Sequence, residues 1–67
     1  MNDLIFRSKK DASGNTYYLI IDLEKKTIKN CSNMGFDFYL EGIETYKKSL
    51  NIIQAKLEAA GFITDYI

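Results

Sequence analysis

The segment IETYKKSLNIIQAKLEAA, residues 43–60, has the clearest periodicity in the chain. Its apolar side chains recur at alternating spacings of three and four, which places them on one stripe of an α-helix. The stripe consists of Ile43, Tyr46, Leu50, Ile53, Leu57 and Ala60. Polar residues, Gln54 and Glu58 among them, fall on the flank where water is expected. We therefore predict one long amphipathic helix over residues 43–60.

The end of this helix is marked by Gly61 and Phe62. Glycine accepts the left-handed conformation that commonly follows the last helical turn, and an apolar residue after it can reach back to the helix. We expect a Schellman-type stop in which Phe62 touches Leu57. Residues 63–67 are predicted either to add an edge strand or to pack as a tail.

Three segments before the helix have the composition and alternation of β-strands, namely residues 4–9, 17–23 and 27–31. The second is apolar on both sides, which indicates a central position. Turn-forming residues at 10–15 and a polar connection at 24–26 separate the three. The sequence thus predicts an antiparallel meander.

Residues 36–42 are ambiguous. Phe36, Phe38 and Leu40 alternate with polar residues as in a short fourth strand, whereas Asp37 could cap a helix that starts early. The strand is favoured because Gly42 inside a helix would cost about 1 kcal/mol. The predicted fold is α+β: one domain over residues 1–67, with an antiparallel three- to four-stranded β-meander followed by a long C-terminal helix packed on one sheet face.

The amino-acid composition limits the kinds of binding site and partner that are expected. The chain has 67 residues, nine basic and nine acidic, with one cysteine and no histidine. A domain of this size buries only roughly 60% of its unfolded surface, so self-association would help its stability. Neither a disulfide nor a structural zinc site is expected, and no cofactor, small-molecule substrate or membrane span is predicted. A cytoplasmic protein is the default expectation.

Catalysis is not expected, because the commonest general base, histidine, is missing. The carboxylates near strand ends and the first helical turn are interpreted as solubility and helix-dipole features. Cys31 could be activated by a nearby lysine, but a half-buried structural thiol is the favoured interpretation. No catalytic, cofactor-binding or metal-binding residue is therefore assigned.

Two surfaces are candidates for binding. A sheet covered by one helix leaves its other face open, and the predicted alternation places Ile5, Arg7, Lys9, Tyr18, Ile20 and Lys29 there. This face could bind a protein or hold a nucleic acid by stacking and phosphate contacts. Alternatively, Phe36, Phe38 or Tyr66 folds over it.

The second candidate surface is the outer side of the helix, where Ile52, Ala55 and Ala59 recur at helical spacing. Small residues there would allow another helix to approach closely, as in a homodimer. The alternative is that alanine is present only as a good helix former.

The order of strands and helix, with Tyr17-Tyr18 in the second strand and Gly35-Phe36 before the helix, resembles in layout the arm-type DNA-binding domains of tyrosine integrases. That resemblance implies DNA binding by a basic sheet face. In size and composition the chain also resembles small accessory proteins of phages and mobile elements of Gram-positive bacteria. The leading hypothesis is a non-enzymatic module that binds a protein or itself, and the alternative is a nucleic-acid-binding domain.

Overall fold

The computed structural model describes residues 3–67. The chain forms β1 (Leu4–Ser8), β2 (Tyr17–Asp22), β3 (Thr27–Ser32), β4 (Ile43–Thr45), α1 (Lys47–Ala59) and β5 (Ile63–Tyr66). All five strands belong to one sheet with the order β4-β1-β2-β3-β5. The predicted α+β class is therefore confirmed, with β2 in the centre of the sheet.

The three central strands pair as predicted, while the two edge strands do not follow the meander. β1 and β3 both lie antiparallel to β2, with Leu19 opposite Phe6 on one side and Asn30 on the other. β4 pairs with β1 and β5 pairs with β3, and both pairs are parallel. The sheet is consequently mixed, which corrects the expectation of a purely antiparallel sheet.

The helix is shorter than its periodicity suggested. It begins at Lys47 and ends at Ala59, a length of 13 residues. Residues 43–45 form β4 instead, because Ile43 and Thr45 are β-branched and pair with Phe6 and Ser8 of β1. Ile43, Tyr46 and Ala60 are exposed, so these three members of the predicted stripe do not reach the core.

Residues 36–42 are neither strand nor helix. They belong to an irregular connection, residues 33–42, which we call the covering loop. Gly42 lies so close to β1 that a Cβ atom added there would be 2.7 Å from both Cγ2 and the carbonyl oxygen of Ile5. The glycine therefore serves close backbone packing rather than a helix start.

One side of the sheet carries the hydrophobic core. Leu19, Ile21 and Ile28 form a buried cluster with Leu50 of α1, and partly buried apolar side chains pack around it. These surrounding residues are Phe6, Tyr17, Ile53, Leu57 and Phe62. The central part of the predicted helical stripe thus packs on the sheet.

The helix ends as the sequence predicts. Gly61 has φ of 100°. The amide of Phe62 donates to the Leu57 carbonyl at 3.0 Å, and the amide of Gly61 donates to the Glu58 carbonyl at 3.0 Å. These are the two hydrogen bonds of a Schellman motif. This turn directs the following residues into β5, which confirms the edge-strand alternative for the end of the chain.

Candidate interaction surfaces

The covering loop conceals the aromatic centre of the sheet face opposite α1. Tyr18 is 1% exposed, and its ring lies edge-on to that of Phe38 with 5.3 Å between centroids. Its hydroxyl donates to the Phe38 carbonyl and accepts from the Leu40 amide, each at 3.3 Å. Tyr18 therefore anchors the loop and does not contact solvent, and the alternative that Phe38 folds over this face is confirmed.

Arg7 is likewise engaged within the fold. Its Nη2 donates to Oε1 of Glu44 at 3.1 Å, and its guanidinium carbon lies 4.8 Å from the ring centroid of Tyr39. Such a cation–π contact is worth about 0.5–1 kcal/mol when exposed, and more when desolvated. Since 20% of the Arg7 side chain is exposed, most of its charge faces the protein.

The remaining predicted face residues do not form one continuous surface with these two. Ile5 and Ile20 are partly buried, whereas Lys9 and Lys29 are exposed. Lys29 stands opposite Asp65 of β5, and the Lys9 ammonium lies 6.0 Å from the ring of Tyr46. The expected basic, tyrosine-bearing patch is therefore divided, because the covering loop occupies its middle.

An apolar groove beside the covering loop was missed by the sequence interpretation. It has a volume of about 360 Å³ and is lined by Cys31, Ser32, Asn33, Phe36, Phe38 and Ile67. Phe36 is 76% exposed and Ile67 is 78% exposed. The aromatic content of residues 36–38 was the available signal, but it was interpreted as strand alternation.

A second concavity lies between the β1–β2 loop and the covering loop. Its volume is about 420 Å³, and its walls include Arg7, Lys10, Thr16, Phe36, Asp37 and Tyr39. Asn33 ties the two loops together, because its Oδ1 accepts from the Thr16 amide at 2.9 Å and its Nδ2 donates to the Gly14 carbonyl at 3.3 Å. The loops are thereby held in a fixed relation around the cavity.

On the outer side of α1, Ile52, Ala55 and Ala59 are all exposed, as the sequence predicts. Ile52 is 53% exposed and so does not belong to the hydrophobic core.

The inner flank of α1 carries a polar cluster that sequence periodicity had assigned to solvent. Gln54 is 7% exposed. Its Oε1 accepts from Asn30 at 2.7 Å, and its Nε2 donates to Glu58 at 3.0 Å and to the Tyr66 hydroxyl at 2.7 Å. The Thr64 hydroxyl also donates to Glu58. The cluster joins α1 to β3 and β5, so the expectation that Gln54 faces water is wrong.

Cys31 lies in β3 on the groove side of the sheet. Burial raises the pKa of its thiol, and the smaller opposing effect of Lys29 does not overcome this. A thiol with a raised pKa is a poor nucleophile at neutral pH, because the thiolate is the reactive form.

Comparison of this chain with protein-family models, curated proteins and solved structures finds no match. Among residues 3–67, no helix is long and apolar enough to cross a membrane. Within the same range, no group of three His, Cys, Asp or Glu side chains could hold a metal ion.

Proposed function

We propose that the protein is a small non-enzymatic interaction module of the cytoplasm that binds a protein partner or a second copy of itself. The observation that supports this proposal is the exposure of large apolar side chains around the groove. Phe36 and Ile67, which line the groove, are 76% and 78% exposed. Burial of exposed apolar surface favours association, and contiguous exposed apolar patches commonly mark interfaces.

The groove is a better contact surface than the sheet face predicted from sequence. Tyr18 packs against Phe38, and Arg7 interacts with Glu44 and Tyr39. Neither side chain is therefore free to contact a partner. Phe36 and Ile67, in contrast, project from the loop and from the end of the chain. The outer helix side around Ile52 remains a second surface.

The first experiment is solution mass by size exclusion with light scattering, over a tenfold concentration range and at two salt concentrations. The variants are Phe36→Glu and Ile52→Glu, with Leu23→Glu as the matched control, because Leu23 is 57% exposed in the β2–β3 turn. A dimer that Phe36→Glu dissociates and Leu23→Glu does not would support self-association through the groove. If only Ile52→Glu dissociates the dimer, the interface lies on the outer side of α1 and not at the groove.

If the chain is monomeric, the parent chain is used to capture a partner from the native host. The binding of each variant to the purified partner is then measured. The interaction proposal is wrong if Phe36→Glu, Ile52→Glu and the double variant leave both association and partner binding unchanged.

Nucleic-acid binding is the competing proposal. It requires Arg7, Lys9, Tyr18 and Lys29 to act together, and it predicts an affinity that falls steeply with rising salt. Burial of Tyr18 and the Arg7–Glu44 ion pair favour the protein-binding proposal over it. Salt-dependent binding of DNA or RNA that is weakened by Lys29→Gln would reverse this preference.

A further inference from the structure

The outer edge of β5 is open to another strand. β5 is the last strand of the sheet, and among residues 3–67 it pairs with β3 alone. The amides of Ile63 and Ile67 donate to carbonyls of the β2–β3 turn and of β3, at 3.1 and 2.9 Å. Because backbone groups alternate in direction along a strand, the N–H and C=O groups of Thr64 and Tyr66 point away from the sheet. These groups form an unpaired row.

β5 is better suited to accept a strand than β4, the other edge of the sheet. β4 has three residues, and its acid, Glu44, is paired with Arg7. β5 has four residues in continuous register with β3, and Ile63 in it is 71% exposed. Natural sheets usually protect an edge with proline, a bulge or several charges, whereas β5 contains no proline and only one charge, Asp65. Such an edge is typical of β-strand addition.

The side chains along β5 divide between the two faces of the sheet. The hydroxyls of Thr64 and Tyr66 are hydrogen-bonded to side chains of α1, so both residues lie on the helix side. The opposite face therefore presents an apolar, acidic, apolar row that consists of Ile63, Asp65 and Ile67. An antiparallel strand beside β5 would place three side chains directly opposite this row, at the non-hydrogen-bonded positions where facing side chains are closest.

The charges that an added strand would meet first are negative. Asp65 is exposed and forms no ion pair among residues 3–67. Glu58 supplies a second carboxylate on the helix side, 2.6 Å from the Thr64 hydroxyl. The bases Lys26 and Lys29 belong to the inner neighbour of β5, so an added strand would lie about 5 Å from β5 but about 10 Å from β3. A basic side chain opposite Asp65 is therefore favoured over an acidic one.

A second copy of the chain does not supply this basic residue. If two β5 strands were related by a two-fold axis and hydrogen-bonded at both Thr64 and Tyr66, the two Asp65 side chains would face each other. Like charges directly opposite each other destabilise a strand pair. The charge of the edge thus favours a different protein as the occupant.

We propose that β5 accepts an extended segment of a partner protein by antiparallel strand addition. The segment carries lysine or arginine opposite Asp65 and apolar residues opposite Ile63 and Ile67. This inference rests on the protein binding proposed above and adds the chemistry of the partner. Because Ile67 also lines the groove, the added strand would lie at the border of that surface.

The test is a titration of the ¹⁵N-labelled chain with the peptide acetyl-Val-Thr-Lys-Thr-Val-amide, followed by amide chemical shifts and hydrogen exchange. The amides of Thr64 and Tyr66 should shift and become protected from exchange, because they gain acceptors. The control peptide acetyl-Val-Pro-Lys-Pro-Val-amide keeps the charge and the apolar ends but lacks the two N–H groups that would face β5, so it should not bind. Equal binding of the two peptides, or no saturable shift at Thr64 and Tyr66, would overturn the proposal.

Charge reversal tests the role of Asp65. Replacing the peptide lysine with glutamate should weaken binding to the parent chain about threefold or more. Asp65→Asn should abolish this preference, and Asp65→Lys should reverse it. Glu41→Lys, the same change of charge at an exposed residue of the covering loop, is the control and should leave the preference unchanged. Equal effects of Asp65→Lys and Glu41→Lys would show general attraction only and would contradict the proposal.

The remaining outcomes separate this inference from the association experiments. If the Thr64 and Tyr66 amides become protected at high chain concentration without peptide, a second copy pairs with β5 and the proposed partner is wrong. If the peptide does not bind but Phe36→Glu abolishes association, the strand-addition proposal is wrong and the interaction module stands. If the peptide binds while Phe36→Glu and Ile52→Glu leave association unchanged, the β5 edge is supported and the groove is not.

Discussion

The ring of Tyr18 in the central strand lies edge-on beneath the ring of Phe38 in the covering loop, at 5.3 Å and an interplanar angle of 79°. This pair connects the middle of the sheet to the loop that borders both the groove and the cavity. Loss of the pair should therefore loosen both candidate sites together.

Phe38→Ala should lower the free energy of unfolding by about 1–2 kcal/mol, because it removes an aromatic pair and part of the cover over Tyr18. Urea denaturation followed by circular dichroism measures this change. Phe36→Ala is the matched control, since Phe36 is mostly exposed, and it should change stability by less than about 0.5 kcal/mol. Equal losses in the two variants would contradict the anchoring role of Phe38.

Gly42→Ala should destabilise the fold by about 1–3 kcal/mol, since the added methyl would overlap both the side chain and the backbone of Ile5. The backbone of β1 cannot move aside without disturbing its pairing with β2. Thermal unfolding gives the comparison, with Ser13→Ala in the exposed β1–β2 loop as control. A Gly42→Ala protein as stable as the control would mean that the loop approaches β1 less closely than the structure shows.

Gln54→Ala should cost about 1 kcal/mol because it removes the hydrogen bonds of the buried Gln54 side chain to the half-buried Asn30 and to the hydroxyl of the exposed Tyr66. The loss of stability should be greatest at β5. The substitution should therefore increase the hydrogen-exchange rates of the Ile63 and Ile67 amides, relative to the parent chain, more than those of the β2 amides. Asn51→Ala, an exposed amide one turn earlier, is the control. Uniform exchange changes across the sheet would argue against a local role for the cluster.

The same cluster makes a prediction about pH. Hydrogen bonds from Thr64, and secondly from Gln54, lower the pKa of Glu58 below its usual value. A folded-state pKa below the unfolded one adds stability that is present above the unfolded pKa and is lost as pH falls through the folded pKa. Thr64→Val should therefore raise the Glu58 pKa, as followed by carboxyl carbon chemical shifts between pH 2 and pH 7.

The control for this titration is Thr27→Val, the same substitution in β3 on the other side of the sheet. It should leave the Glu58 pKa as it is in the parent chain. If Thr64→Val behaves like Thr27→Val, the hydrogen bond at Glu58 is not formed in solution.

Local periodicity was sufficient to predict much of the fold. The alternation in β1, β2 and β3 sets which side chains share a face, and their pairing follows from short polar turns. Leu50, Ile53 and Leu57 reach the core because helical spacing alone places them on one stripe. The C-terminal stop at Gly61 follows from the conformational freedom of one residue.

The prediction that residues 43–46 belong to the helix was wrong, because the spacing of Ile43 and Tyr46 continues the helical stripe although residues 43–45 form a strand. Pairing with β1, a contact distant in sequence, decides that Ile43 belongs to a strand. Gln54 was misplaced for a similar reason, since a polar residue on the flank of a helix is buried only when partners from β3 and β5 meet it.

The sequence by itself determined an α+β domain, a central β2 and a helix with one apolar stripe, because these follow from interactions between near neighbours. Only the tertiary structure decided that Tyr18 is concealed, that Arg7 is paired with Glu44, and that Phe36 and Ile67 border a groove. The physical reason is that an irregular loop has no period. Its path over the sheet depends on contacts such as Tyr18–Phe38 and Gly42–Ile5, which join residues far apart in the chain.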